Sequence, residues 1–195
     1  MITKDREYRA FEFASNDEKI VEGKAVAFES PTVMAEIDGM KFYEVIDRRA
    51  FENAQMDDVV LVIDHAGKPA AKTKNGTLEL RKTDDGLFIR ADLSKNATGR
   101  ELHEDITNGF YDKMSFAFTV RKDSYDKQTR TRRIEEIDRL FDVSAVTRPA
   151  YEQTSISARS FFEAEASKEM KERMEIQKRE EALSKLKDLL KGVEK

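Results

Sequence analysis

Acyl transfer to a serine needs a hydroxyl nucleophile, a base to take its proton and a group that orients the base. Three short segments supply one of each: VVLVIDHAG at 59–67 carries His65, YDKMSFAFTV at 111–120 carries Ser115, and RLFDVSAVTRPAY at 139–151 carries Asp142. The chain has two histidines, so their contexts can be compared directly. His103 stands in ELHEDITNG beside Glu101, Glu104 and Asp105, off the Leu102/Ile106 stripe, which is the pattern of a solvated surface residue. His65 closes an apolar run and precedes Ala66-Gly67, which puts it at a strand end, where rigid scaffolds present side chains to substrate.

In the Ser115 segment, Met114, Phe116 and Phe118 share one parity while Ser115, Ala117 and Thr119 share the other. As a strand this buries the bulky face and is expected to leave the small-residue face, with Ser115, open to solvent. Three carboxylates compete for the orienting role. Asp64 adjoins His65 and would point to the opposite face of a strand, and Asp138 lies in the charged stretch EEIDR. Asp142 interrupts the apolar text LFDVSAV, where a buried carboxylate is costly unless something hydrogen-bonds it, and a histidine N–H would do so. The cluster Glu135, Glu136 and Asp138 lacks histidine neighbours and loop spacing, so no metal site is expected.

The elements that must position these residues are mostly short strands. Apolar, β-branched runs at 20–30, 41–46, 59–63, 76–83, 86–93, 114–120 and 140–146 are punctuated by turn signals, and Asp84-Asp85-Gly86 marks a hairpin. Seven such strands predict a barrel or sandwich. Two helices are expected between them, at 47–55 and at 98–108, the second ending on Gly109. After Ser160 the composition shifts to Glu, Lys, Ala, Leu and Met with no proline. A Ser160/Glu163 capping box and the stripe Leu183, Leu186, Leu190 and Val193 predict one long helix, roughly 45 Å for about 30 residues.

The length of 195 residues suits one ordinary domain plus an appendage, read as 1–160 and a charged amphipathic helical tail at 161–195. With 39 acidic and 35 basic residues the net charge is −4, which gives no whole-chain attraction to nucleic acid. The basic stretch RKDSYDKQTRTRR at 121–133 reads as a wet hairpin loop, and no nucleic-acid partner is expected. The absence of cysteine excludes disulfides, thiolate metal sites and a cysteine nucleophile. No apolar stretch approaches the roughly 18 residues of a membrane span, and the N-terminus lacks a signal-type apolar region, so a soluble, unexported protein with no membrane partner is expected.

These segments, in this order and spacing, resemble the prohead proteases of tailed bacteriophages, serine endopeptidases similar in fold to the herpesvirus capsid-maturation protease. The likeness covers residues 7–159 and is carried by EGKAVAFES, FYEVIDRRAFENA, VVLVIDHAG, GTLELRKTDDGLFIRADLSKNATGRELHEDITNGFYDKMSFAF and LFDVSAVTRPAYEQTSISAR. The resemblance implies a mainly β fold, a closed β-barrel flanked by helices, followed by the long C-terminal helix. It implies His65 as general base, Ser115 as nucleophile in the M-S-F-x-F context and Asp142 as third member. Arg148, six residues past Asp142, is the candidate for the oxyanion hole. The family often has Asn-His-Asp around the base where this chain has Asp64-His65-Ala66. The implied protein is a phage or prophage endopeptidase acting in the host cytoplasm within the assembling procapsid. It would cut scaffold or major capsid protein extensions and itself, with no cofactor, as a possible homo-oligomer. The alternative reading is a non-catalytic assembly or scaffolding protein on a protease-like fold.

Overall fold

The structure, a computed structural model, describes the backbone of residues 7–15, 18–147 and 156–193, and the side chains of 18–147, 158 and 160–186. Ten strands form one sheet: β1 (Glu7–Ser15), β2 (Ile20–Ala27), β3 (Thr32–Ile37), β4 (Met40–Ile46), β5 (Val60–Ile63), β6 (Ala66–Lys72), β7 (Leu78–Lys82), β8 (Gly86–Asp92), β9 (Lys113–Asp126) and β10 (Thr131–Val146). Helix α1 (Ala97–Thr107) precedes β9, and α2 (Ile156–Val193) ends the described chain.

The strand order is β3-β4-β10-β9-β1-β2-β8-β7, with β5 paired to β10 and β6 to β5. Strand β10 is the spine. Along its whole length it runs antiparallel to β9, while on its other edge Thr131–Ile134 pair in parallel with β4 and Asp142–Ala145 in parallel with β5. Such parallel pairings bring together residues about 80 apart in sequence, and the chain needs a crossover to make them.

The expected closed barrel is not found. Among the described residues β3, β6 and β7 each pair on one edge only, so the ladder has ends. Helices cover two of these strands in place of further strands, α1 packing against β6 and α2 against β3. That is a common way to protect a sheet edge. The helix expected at 47–55 is absent as well: the segment makes isolated turns, Ala50 N–H to Asp47 O and Glu52 N–H to Arg49 O, both at 2.9 Å, and further backbone groups bond to β10. Asp47 N–H donates to Ile134 O at 2.9 Å, Gln55 N–H to Asp138 O at 2.9 Å, and Ile137 and Leu140 N–H return to Ala50 O and Gln55 O. The turns thereby fill the stretch of β10 edge between β4 and β5.

The main core lies on one face of the sheet, where Met114, Phe116, Phe118 and Val120 of β9 meet Ile134, Ile137, Leu140 and Val143 of β10. The rings of Phe116 and Phe118 stack at 5.0 Å. Helix α1 closes one end of this core with Leu102, which is fully buried. Its N-cap Asn96 accepts from Gly99 N–H at 2.6 Å and donates to Ala70 O at 3.0 Å, which ties the helix start to β6.

Helix α2 begins before the Ser160 capping signature, which falls inside it. Its first turns form a second small core, in which Phe162 and Ala166 are buried against Met34, Met40 and Phe42. The Phe42 and Phe162 rings are 5.8 Å apart. The stretch 121–133, expected as a wet loop, is the β9–β10 hairpin itself, and each of its six basic residues is ion-paired. Arg121 pairs with Asp138, Lys122 with Glu135, Lys127 with Glu172, Arg130 with Glu169, Arg132 with Asp123 and Glu44, and Arg133 with Glu29 and Asp47. Two of these pairs therefore fasten α2 to the hairpin. Arg132 is buried and lies over the Phe161 ring at 5.0 Å, adding a cation–π contact to the same junction. Farther along α2, Leu183 and Leu186 are exposed. The side chains of Leu190 and Val193, the rest of the expected stripe, lie outside the described residues.

Candidate active site

His65 is held in an unusual backbone conformation. Ile63 of β5 pairs with Ala66 of β6, leaving Asp64 and His65 as a two-residue hairpin turn with φ of 45° and 57°. Positive φ at both central residues is the type I′ pattern, the hairpin connection whose twist suits the flanking strands. Asp and His are among the few residues other than glycine that enter this region with any frequency. The turn is tied down at both of its amides. Asp64 N–H donates to Ala145 O at 3.0 Å, and His65 N–H donates to Ser144 Oγ at 3.1 Å. The strand end expected for His65 is thus a tight turn pinned to β10.

Strand register supplies the rest. Ser144 of β10 lies directly opposite Ser115 of β9, and Asp142 opposite Ala117. Period-two geometry puts Asp142 and Ser144 on one face together with Ser115 and Ala117. That face is opposite to the one carrying Phe116 and Val143. Since β5 flanks β10 on its other side, the turn at its end drops His65 beside the same pair. His65 Nδ1 lies 2.6 Å from Asp142 Oδ1, and Ser144 Oγ donates to the same carboxylate oxygen at 2.9 Å.

A carboxylate only accepts, so Nδ1 carries the proton in this arrangement and proton transfer falls to Nε2. Asp142 is 4% exposed, and its charge is stabilised by two donors converging on one oxygen. The competing carboxylates are placed elsewhere: Asp138 is in the ion pair with Arg121 at 2.6 Å, and Asp64 is exposed in the turn. His103 sits half-buried on α1.

Ser115 departs from expectation in its exposure. It is 1% exposed, and Ala117 and Thr119 beside it are buried too, so the small-residue face of β9 is not open to solvent. Every residue of β9 from Met114 to Val120 is buried, so this part of the strand is covered on both faces although its pairings with β1 and β10 are antiparallel. The Ser115 hydroxyl is buried and has no hydrogen-bond partner among the described residues. Buried hydroxyls are usually bonded, and an exception is a recognised mark of a functional group. Arg148 lies outside the described residues. Among the described residues no group of three or more His, Asp or Glu could hold a metal ion, and no helix is long and apolar enough to cross a membrane.

Ser144 was not singled out from the sequence. It reads there as one small residue in a strand, and only the Asp142-x-Ser144 spacing, two residues on one face beside a candidate acid, could have signalled it.

A family model described as Caudovirus prohead serine protease matches residues 4–172. That match runs past the start of α2, to the turn where Lys127 and Glu172 form the last ion pair with the hairpin, at 3.0 Å. Among solved structures, the capsid assembly protease of bacteriophage T4 is similar at 14% identity, with a TM-score of 0.45 over 75% of this chain and 96% of that one. No curated protein matches the chain.

Proposed function

Since this chain belongs to the caudovirus prohead serine protease family, a family of serine peptidases, we propose that Ser115, His65 and Asp142 are its catalytic triad. In this reading Ser115 Oγ attacks the scissile carbonyl, His65 Nε2 takes the hydroxyl proton and later gives it to the leaving amine, and Asp142 holds Nδ1–H and stabilises the imidazolium. The observation that carries the reading is the 2.6 Å contact between Nδ1 and Asp142 Oδ1, with Ser115 opposite Ser144 on the adjoining strand. Because the Ser115 hydroxyl is buried, the reading includes an opening step that admits substrate before attack.

The substrates proposed are extensions of the major capsid protein or of the scaffold, cut within the assembling procapsid, with self-cleavage as a further reaction. Arg148 is proposed to bind the oxyanion, and the exposed length of α2 is proposed as the part that meets the scaffold or a second copy of the enzyme. The test is coexpression of the capsid precursor with wild type or with Ser115→Ala, followed by intact-mass measurement. Cleavage by wild type alone supports the reading. No cleavage by either leaves the non-catalytic assembly role.

A further inference from the structure

We propose that Ser144 is a positioning residue for this reaction, one hydroxyl that fixes the backbone of the base and shares the carboxylate that orients it. The inference rests on the His65–Asp142 reading given above.

Ser144 is fully buried, and a buried hydroxyl must find partners. The partners it has belong to the site: it accepts from His65 N–H at 3.1 Å, donates to Asp142 Oδ1 at 2.9 Å, and lies 3.1 Å from His65 Nδ1. The bond to the His65 amide acts on a residue at φ 57°, a conformation that side chains other than glycine keep only where their surroundings determine it. The other tie on the turn, from Asp64 N–H to Ala145 O, is main chain on both sides and survives any side-chain change. Ser144 is therefore the part of this tether that a substitution can remove without releasing the turn.

Its second role is electrostatic. By donating to Oδ1 it takes up part of the carboxylate's hydrogen-bonding capacity, which leaves less of it for the imidazolium. With Ser144→Ala the main-chain tie still holds the ring near Asp142, and one competing donor to Oδ1 is gone. The protonated ring gains, and more base is charged at neutral pH. Among the described residues, titratable groups nearby include Asp64, beside His65 in the turn, and Tyr111, near Asp64. Burial, with the Asp64 and Asp105 carboxylates, pushes the Tyr111 phenol up, so it stays uncharged through the relevant range. Neither is altered by the substitution.

The chain's two histidines make the test direct. The imidazole resonances are followed against pH in Ser115→Ala and in Ser115→Ala/Ser144→Ala, so no turnover interferes, with His103 as internal reference. The His65 midpoint is expected to move upward on the second substitution. In the active background, Ser144→Ala is expected to move the acid limb of kcat/KM upward by the same amount and to lower kcat at neutral pH roughly tenfold, with KM little changed. Ser144→Thr, which keeps the hydroxyl, restores both. If Ser144→Ala does not fold, Ser144→Cys, a weak donor of similar shape, replaces it in every measurement. A midpoint that stays put or falls, or a rate loss equal at all pH values and unrelieved by Ser144→Thr, overturns the inference. Activity surviving in His65→Ala instead overturns the triad reading itself, so the two failures are told apart.

Discussion

Replacing Phe162 by alanine asks how firmly α2 belongs to the folded body. Phe162 is fully buried, six residues into the helix, with the Phe42 ring at 5.8 Å, the Phe161 ring at 5.3 Å, and Met34 and Met40 in the same cluster. Truncating a buried phenylalanine to alanine costs about 3–5 kcal/mol through lost transfer energy and the cavity left behind. This cluster is small and roofed by a single helix that can settle inward, so the lower end, about 3 kcal/mol, is expected. For a chain of this length each kcal/mol is worth roughly 2–4 °C, which gives a fall in Tm of about 6–12 °C. Leu183→Ala is the control, since Leu183 is 56% exposed and should shift stability by no more than about 0.5 kcal/mol. Calorimetry and urea unfolding of the three proteins provide the comparison. The Arg130–Glu169 and Lys127–Glu172 pairs lead to a further expectation, that stability depends on α2 as far as about residue 173. A chain ending at residue 175 should keep its Tm, and one ending at residue 159 should lose several degrees. Equal melting of Phe162→Ala and wild type would refute the argument, for the helix would then rest on the sheet without contributing to it.

Ser115→Ala and His65→Ala should each remove most of the peptidase activity, and the double variant should be little worse; additive losses would speak against a shared mechanism. Asp142→Asn should fold yet lower kcat by about 10³–10⁴, because the amide permits the wrong imidazole tautomer, and an unchanged rate would move the orienting role to another residue. Gly99→Ala should destabilise although it lies in a helix, since the added Cβ would sit 2.6 Å from Leu93 O; a stabilised variant in thermal melts would contradict that packing. Asp85 and Asp92 are both held at about 2, Asp85 first by its hydrogen bond from Lys24 and Asp92 first by that from Ser94. A depressed carboxylate stabilises the fold above its ordinary value near 3.8 and loses that contribution as pH falls toward 2. The double variant Asp85→Asn/Asp92→Asn should therefore lose less stability than wild type between about pH 4 and 2 in acid titrations followed by circular dichroism.

The base and its acid are legible in the sequence for reasons of scarcity and misplacement: one of two histidines ends an apolar run, and one carboxylate interrupts strand text. Their contact, between residues 77 apart, is not legible, because it depends on β10 pairing in parallel with β5. The burial of Ser115 is not legible, because alternation reports which residues are bulky, not whether the other face is covered as well. The seven apolar runs all became strands, and the Asp84-Asp85-Gly86 turn formed between β7 and β8. Strand β6 is not legible because AGKPAAK has the composition of a loop; it is a strand through its pairing with β5 and the Asn96 bonds to its carbonyls. Strands β1 and β3 carry no clear signal either, since β1 lies in the charged N-terminal text and β3 follows directly on Ser30-Pro31. The segment at 47–55 has helix-forming residues, but the open edge of β10 offers its backbone better partners.

The long spine β10 also bears on when the protein can act. Asp142 and Ser144 reach His65 only after the chain has closed loops of 77 and 79 residues, and Ser115 joins them only through the β9–β10 ladder. Contacts of such separation are the late and slow ones in folding. A nascent or partly folded chain holds a serine, a histidine and an aspartate that have not met, and is chemically inert toward its neighbours. On the proposed triad, completion of the sheet is the step that first brings the three residues together. For a molecule made in the same cell as the proteins it is proposed to cut, that delay is a safeguard written in strand order.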